Sequence, residues 1–334
     1  MTKAPTVQDV ARAAGVSRQT VSNVLNTPDI VRPVTRDRVL QAIVDLGYRR
    51  HAAARMLRTR RSSTIGIHLD SYAGGVSGVV LDRFVHALTE HASERGMRML
   101  VYAARSPEDE IQRLGELTDG GEIDAVVLTG TVHDDPRAAW LRTRVTPFVS
   151  FGRPWQDDDL GAPAHPWVDV DGAAGTREAT EYALEAGPRV AFLGWPSGSG
   201  TGDERERGWR EQMALAGLSG PRLESPESVP AAEAVMRDAL AREELDAVVC
   251  VSDSTAIGAH LAALSIGRGD LPIIGFDNTP VAEAMGLSSV EQQPELVAVG
   301  ALELLMGPSG DVVVPREPGH VLVIPRLVVR TRGR

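Results

Sequence analysis

The sequence predicts two folds in one chain, a short all-α head followed by an α/β body of two lobes. Three observations carry this. Basic charge is confined to one end: residues 1–62 hold 12 Lys and Arg against 4 Asp and Glu, leaving 23 against 41 for the remainder. The same end shows closely spaced helical periodicity, and from Thr64 onward short apolar runs alternate with amphipathic helices. At 334 residues, 43% hydrophobic and 24% charged, the chain is long enough for two or three compact units and too apolar to be disordered.

In the head, Val7, Val10, Ala11 and Ala14 recur at spacings of three and four, one apolar helix face that ends at Gly15. Ser17 is placed to cap a second helix whose inward face is Val21, Val24 and Leu25. A third helix is expected over 34–46, with Val39, Ile43, Val44 and Leu46 in the core and Arg36 and Arg38 toward water or phosphate. Helix, tight turn, helix is the arrangement that lays its second helix in the major groove of DNA. The polar side of that helix carries Arg18, Gln19 and Asn23. Arginine pairs with guanine, and glutamine or asparagine with adenine; Thr20 and Ser22 suit phosphate or a thymine methyl. The charge distribution agrees, because a basic end neutralises phosphates and releases counterions while an acidic body is repelled.

The body reads as two sets of strands. TIGIHL, RMLVYA, AVVLT and PFVSFG are separated by helices over 79–94 and 108–118. WVDVD, RVAFLG, AVVCV and PIIGFD follow, with helices over 173–186, 204–216, 231–242 and 255–264. Repeated βα units imply parallel sheets covered on both faces, and two sets imply two lobes. A ligand then belongs in the cleft between them, beyond the carboxyl ends of the strands.

The run TVQDVARAAGVSRQTVSNVLN, followed by TRDRVLQAIVDLGY and AAARMLR, resembles the head of the lactose-repressor (LacI/GalR) family. The body resembles the two-lobed periplasmic sugar-binding proteins, as that family's does, through Arg205-Glu-Arg-Gly-Trp209, Val251-Ser-Asp-Ser-Thr-Ala-Ile-Gly258, Gly275-Phe-Asp-Asn278, Ser289-Val-Glu-Gln292 and Arg326-Leu-Val-Val-Arg330. The resemblance implies a DNA-binding domain over 1–50, a hinge helix and linker over 51–62, and a ligand-binding and dimerisation domain over 63–334. Its lobes would span 63–164 with 293–323 and 165–292 with 324–331. Arg18, Gln19 and Asn23 match base-reading positions. His51, Ala54, Arg55, Leu57 and Arg58 match the hinge that enters the minor groove. There Leu57 is either a wedge between base pairs or an ordinary helix anchor, and its arginine flanks favour the wedge. His51 stands where asparagine is usual and Arg32 where serine is frequent, so the operator cannot be carried over.

In the body, the resemblance matches an effector-contacting arginine to Arg205 and an acidic partner to Asp277. A carboxylate accepts two sugar hydroxyls and a guanidinium donates in a fixed fork. The alternatives are a surface ion pair in the acidic run 203–206 and a turn cap. Asp253 matches one half of a common Asn-Asp pair whose asparagine is replaced by Ser252, and Gly152 and Arg153 stand where many members carry an aspartate. The ligand set, to which Gln292 also belongs, has therefore changed. Trp155, Trp167, Trp195 and Trp209 fall in one stretch. Trp155 and Trp209, each near an arginine, are the candidates for stacking on a sugar ring, with core packing as the other reading. Tyr72 and Ser77 would close the cleft from the other lobe. The implied effector is a saccharide or glycoside, with a purine-like corepressor as the alternative.

Other chemistries lack their residues. Cys250 is the single cysteine, and neither H-E-x-x-H nor G-x-S-x-G occurs. The loop WPSGSGTGD has no lysine for a triphosphate, and Asp157, Asp158 and Asp159 read as a solvated loop. No enzyme, cofactor or metal is expected. With no apolar run of membrane length and no export signal, the expectation is a cytoplasmic protein, nucleoid-associated when bound to its operator. A free-standing solute-binding protein would need neither the head nor the hinge. The short tail after LVVR carries no heptads, which favours a homodimer on a near-palindromic double-stranded operator. Cleft closure would then withdraw the Leu57 wedges, with effector and DNA reciprocally coupled.

Overall fold

The computed structural model describes residues 5–48, 61–69, 78–155, 159–307 and 310–330. They form two compact units that divide after Ser62.

The first unit holds α1 (Val7–Ala13), α2 (Arg18–Asn26) and α3 (Pro33–Leu46). Thr6 and Asp9 cap α1 reciprocally, each side chain meeting the other's backbone N–H. Gly15, at φ +63°, makes the tight turn, and the Ser17 hydroxyl accepts the Thr20 amide at the start of α2. Val10, Ala11, Ala14, Val21, Val24, Val39, Ala42 and Tyr48 form the core. Two expected core residues are not in it: Val44 is 73% exposed and Leu46 37%. The inward face of α3 is set by Val39 and Ala42, with Ile43 packed beside them. Val44 is turned about 100° past Ile43. The end of the core is filled instead by Tyr48, delivered by the left-handed cap Gly47.

The second unit contains two six-stranded sheets among the described residues. The first has the order β11-β5-β4-β3-β1-β2: β1 (Thr64–His68), β2 (Arg98–Tyr102), β3 (Ala125–Leu128), β4 (Phe148–Phe151), β5 (Trp167–Val170) and β11 (His320–Val323). All its pairings are parallel. It is covered by α4 (Gly78–Glu94), α5 (Pro107–Asp119), α6 (Pro136–Thr143) and, late in the chain, α12 (Pro294–Leu305). The second sheet runs β12-β10-β9-β8-β6-β7: β6 (Val190–Gly194), β7 (Arg222–Glu224), β8 (Ala247–Cys250), β9 (Ile273–Phe276), β10 (Ser288–Glu291) and β12 (Arg326–Val328), the last antiparallel to β10. Its helices are α7 (Gly172–Leu184), α8 (Gly200–Leu215), α9 (Val229–Arg242), α10 (Asp253–Ser265) and the short α11 (Pro280–Ala284). The central strands are buried on both faces, as helix-covered parallel sheets require.

WVDVD, expected to open the second lobe at residue 165, is instead β5 of the first. Ser150 pairs with Trp167 and Phe151 with Val168, while β11 takes the other edge through Val168 and Val170. A short, fully buried apolar run reads the same in either sheet; the pairing partners decide. The Trp167 indole is accordingly buried, stacked at 4.7 Å on His320 and donating to the Asp159 carbonyl. Among the described residues the chain passes between lobes three times, after β5, after β10 and after β11. At the first passage α7 and α8 lie so close that a Cβ at Gly208 would run into the Ala173 carbonyl.

Candidate functional site

On the head, α2 exposes Arg18 and Gln19, with Thr20, Ser22 and Asn23 half-buried beside them. Gln19 Nε2 donates to Asn23 Oδ1 at 2.9 Å, one turn along. This sets the orientation of both amides and leaves the Gln19 carbonyl and the Asn23 amino group for a base edge. Thr20 Oγ1 lies 2.9 Å from Ser17 Oγ, so it is tied to the cap.

In the body, a cavity of about 250 Å³ lies at the carboxyl ends of β3, β4, β5 and β10. Val80 and Leu81 of α4 wall it from the first lobe, and Thr201, Glu204 and Arg205 of α8 from the second. Arg205, 5% exposed, donates from Nη1 to the Val251 carbonyl at 2.6 Å and stands 3.7 Å from Asp277 Oδ1. Its guanidinium lies 3.7 Å over the Phe276 ring, and no described residue accepts from its Nε. Burial lowers its pKa, against the pull of Asp277 and Asp169. Asp277 sits at φ +114° and accepts Gln292 Nε2 at 2.6 Å. Burial pushes its carboxyl up to about 8; Arg205 opposes this, and Asp253 and Glu227 add to it.

A second charged cluster joins the lobes. Arg153, just past β4, donates from Nε to Asp169 Oδ2 at 3.1 Å and places Nη1 2.9 Å from Glu204 Oε1. Its guanidinium lies 5.1 Å from the Trp155 ring centre and 5.5 Å from that of Trp167. Trp155, at φ +60°, packs flat against Gly200 at the start of α8, where a Cβ would enter the indole. Burial pushes Glu204 up to about 7, with Arg153 opposing and the nearby Asp169 and Asp171 adding. Asp169 is raised by burial, against Arg153. This cleft has the donors, acceptors and aromatic faces to hold a polar ring compound between two lobes.

Residues 6–51 match the bacterial regulatory proteins of the lacI family, and residues 181–331 the periplasmic binding protein-like domain. Over 98% of both chains, the sequence is 34% identical to the HTH-type transcriptional regulator CelR of Thermobifida fusca. The chain belongs to the LacI family of bacterial regulatory proteins. A solved transcriptional regulator CelR–cellobiose complex is 30% identical, covering 98% of this chain and 100% of that one, with a TM-score of 0.69. The lac repressor dimer bound to operator and the anti-inducer ONPF shares the fold, at 23% identity and a TM-score of 0.79 over 98% of each chain. As a LacI-family member, the chain is a helix-turn-helix DNA-binding transcription regulator and not an enzyme. Among the described residues no helix is long and apolar enough to cross a membrane.

The LacI-type cleft brings together Gly152, Arg205 and Gln292 on the cavity wall, with Asp277 behind the latter two. Arg153 stands one layer back, and Trp155 closes the seam between lobes. Two expected contacts lie elsewhere. Trp209, 3% exposed, is stacked on Phe192 in the core of the second lobe, one turn deeper along α8 than Arg205. Asp253 is buried with both oxygens committed: Oδ2 accepts the Thr279 amide and hydroxyl and Oδ1 the Ser289 hydroxyl. It ties the turn after β9 to β10 and so presents Asp277 and Gln292. His51, Ala54, Arg55, Leu57, Arg58, Tyr72 and Ser77 lie outside the described residues. The sequence reading missed Thr129 to Thr131, Asp169, Gly172, Thr201 and Glu204. Asp169 carried a signal, a lone acid inside an apolar strand. Glu204 was hidden in an acidic run that looked solvated.

Proposed function

We propose that this regulator is a cytoplasmic repressor of carbohydrate-utilisation genes that binds a near-palindromic operator as a dimer and is released by a small saccharide. The arrangement that carries the reading is Arg205 and Gln292 on the cavity wall, backed by Asp277, with the half-buried Phe151 on the same wall: guanidinium and amide donors, a carboxyl and an aromatic ring together suit a sugar's hydroxyls and its apolar ring face. The cellobiose complex of the relative CelR supports a saccharide as the ligand class. On the head, Arg18, Gln19 and Asn23 read bases, and His51 to Arg58 form the conditional minor-groove contact. Closure of the lobes on a sugar weakens that contact through the dimer.

The test is selection of bound DNA from a random pool, then gel-shift titration of the selected operator with cellobiose and other neutral saccharides. A saccharide should weaken operator binding by about 10- to 100-fold, the size of an ordinary coupling free energy. Operator affinity unmoved by saturating saccharide would overturn the gating. Light scattering of the operator complex that gave one chain per site would overturn the dimer.

A further inference from the structure

The cavity wall carries a further carboxyl group, that of Glu204. Glu204 is buried, and its two oxygens face different partners. Oε1 lies 2.9 Å from Arg153 Nη1 and 3.3 Å from Arg207 Nη2. None of the described residues donates to Oε2. That oxygen stands over Gly172, itself on the cavity wall, where a Cβ would lie 3.3 Å from it and 3.8 Å from Arg205 Nε. Arg205 Nε is one of three buried donors that lack a described acceptor, with Arg153 Nη2 and Trp209 Nε1, and it is the one beside Gly172. One unspent acceptor and one unspent donor thus converge on the same bare patch of backbone. A hydroxyl group can satisfy both at once, since it donates one hydrogen and accepts through its lone pairs.

Charge narrows the choice further. The guanidinium groups of Arg153 and Arg205 meet the carboxyls of Asp169, Glu204 and Asp277. Lys3 is the only lysine in the sequence, so the body offers no ammonium group to add. A phosphate or carboxylate ligand needs a cation not already committed. The Arg153 guanidinium is paired with Asp169 and Glu204 and that of Arg205 stands beside Asp277, so each cation already faces a carboxyl, although Arg153 Nη2 and Arg205 Nε have no described acceptor.

We propose that Glu204 is a specificity-determining residue that accepts a hydroxyl of an uncharged, polyhydroxylated ligand and keeps anionic sugars out, with Arg153 as its positioning residue. The proposal rests on the saccharide reading of this cleft and goes beyond it by naming the charge of the ligand and the residue that enforces it.

The experiment is equilibrium binding to the full chain, followed by tryptophan fluorescence and calorimetry. Neutral glucose, cellobiose, maltose and trehalose are compared with glucose 6-phosphate, glucuronate and cellobionate. The best neutral saccharide should bind at least about 100-fold tighter than any anionic one, the range of two charge-assisted hydrogen bonds gained or lost. Glu204→Gln should weaken the neutral ligand by about 10-fold and narrow the discrimination by a similar factor. Arg153→Met should weaken the neutral ligand, and Arg153→Lys should restore part of the loss. Operator binding serves as the check that each variant is folded; where Glu204→Gln does not fold, the wild-type comparison decides alone. Preferential binding of an anionic sugar, or a folded Glu204→Gln with both affinities unchanged, overturns the role of Glu204 and leaves the saccharide reading standing. Absence of binding by every sugar, neutral or anionic, overturns both.

Discussion

Arg153 Nη1 lies 2.9 Å from Glu204 Oε1, joining the loop after β4 in the first lobe to α8 in the second. The same seam holds Trp155 against Gly200, and on the other side of the cavity Arg83 of α4 meets Glu291 of β10 at 3.2 Å. The lobes are therefore held together by groups that must adjust whenever the cleft opens. Gly200 is the sharpest probe, because its missing side chain is what lets the indole sit flat. Gly200→Ala should hold the seam ajar and weaken saccharide binding by about 10-fold, equivalent to the 1–3 kcal/mol of a modest overpacking. Fluorescence titration with the wild-type ligand measures it; unchanged affinity would remove Trp155 from the ligand-competent arrangement.

Arg205→Ala should abolish the saccharide response while operator binding persists, because its partners all lie within the second lobe and the cleft. Removing one member of a buried ion pair ordinarily costs about 3–5 kcal/mol. Here the Asp277 carboxyl, pushed up to about 8, can take a proton near neutral pH and escape as an uncharged group. The loss of stability should accordingly be smaller at pH 6 than at pH 9. Urea unfolding of the variant at the two pH values checks this, and a larger loss at pH 6 would contradict the assignment of Asp277 as the partner left behind.

Gln19→Ala should relax base preference by about 1–3 kcal/mol at one operator position. The 2.9 Å bond from Gln19 to Asn23 adds a further expectation: the two residues should not act independently. A double-mutant cycle on operator affinity should show a coupling of about 0.5–3 kcal/mol between them. Additive effects would mean that each amide finds its base without the other's help.

The head was almost fully legible because its signals are local: Ser17 caps, Gly15 turns, and the apolar spacing of Val10, Ala14, Val21 and Val24 names the core. Only the end of α3 went astray, where Tyr48 after Gly47 replaced Val44 and Leu46. In the body, strand existence could be read but strand allegiance could not, since pairing of Ser150 with Trp167 is a contact between distant segments and leaves no periodic trace. The cleft divided along the same line. Arg205 and Asp277 stood in recognisable motifs, whereas Glu204 differs from a solvated surface acid only through Arg153, 51 positions away in the sequence. Trp209 misled for the opposite reason: its neighbours in sequence line the site, but its own side chain turns into the core.

The acid response of the body should centre on His165. The ring is buried against Phe148, with Nε2 3.0 Å from Ser150 Oγ, and the Ser150 hydroxyl gives its own hydrogen to the Gly152 carbonyl at 2.8 Å. With that hydrogen committed, Nε2 is the donor and a second proton would have to enter at the other ring nitrogen. Burial, assisted by the charge of Arg142, brings the pKa down to about 4 from the ordinary 6.5. Above pH 6.5 the ring is neutral in both folded and unfolded chains and costs nothing. As pH falls below that value the unfolded chain takes the proton and the folded one refuses it, so stability declines until about pH 4, where the folded ring also titrates. A depression of this size corresponds to about 3 kcal/mol. His165→Gln, which keeps a donor for Ser150, should therefore lose less stability than the parent between pH 7 and pH 4, with the difference developing below pH 6.5. Because Gly152 lines the cleft and is held by Ser150, saccharide affinity of the parent should stay clear of this stability loss and fall on account of His165 only near pH 4, where the folded ring itself titrates. Denaturant unfolding and fluorescence titration across that range measure both effects; stability curves that run parallel for the two proteins would show that the acid-sensitive group lies elsewhere.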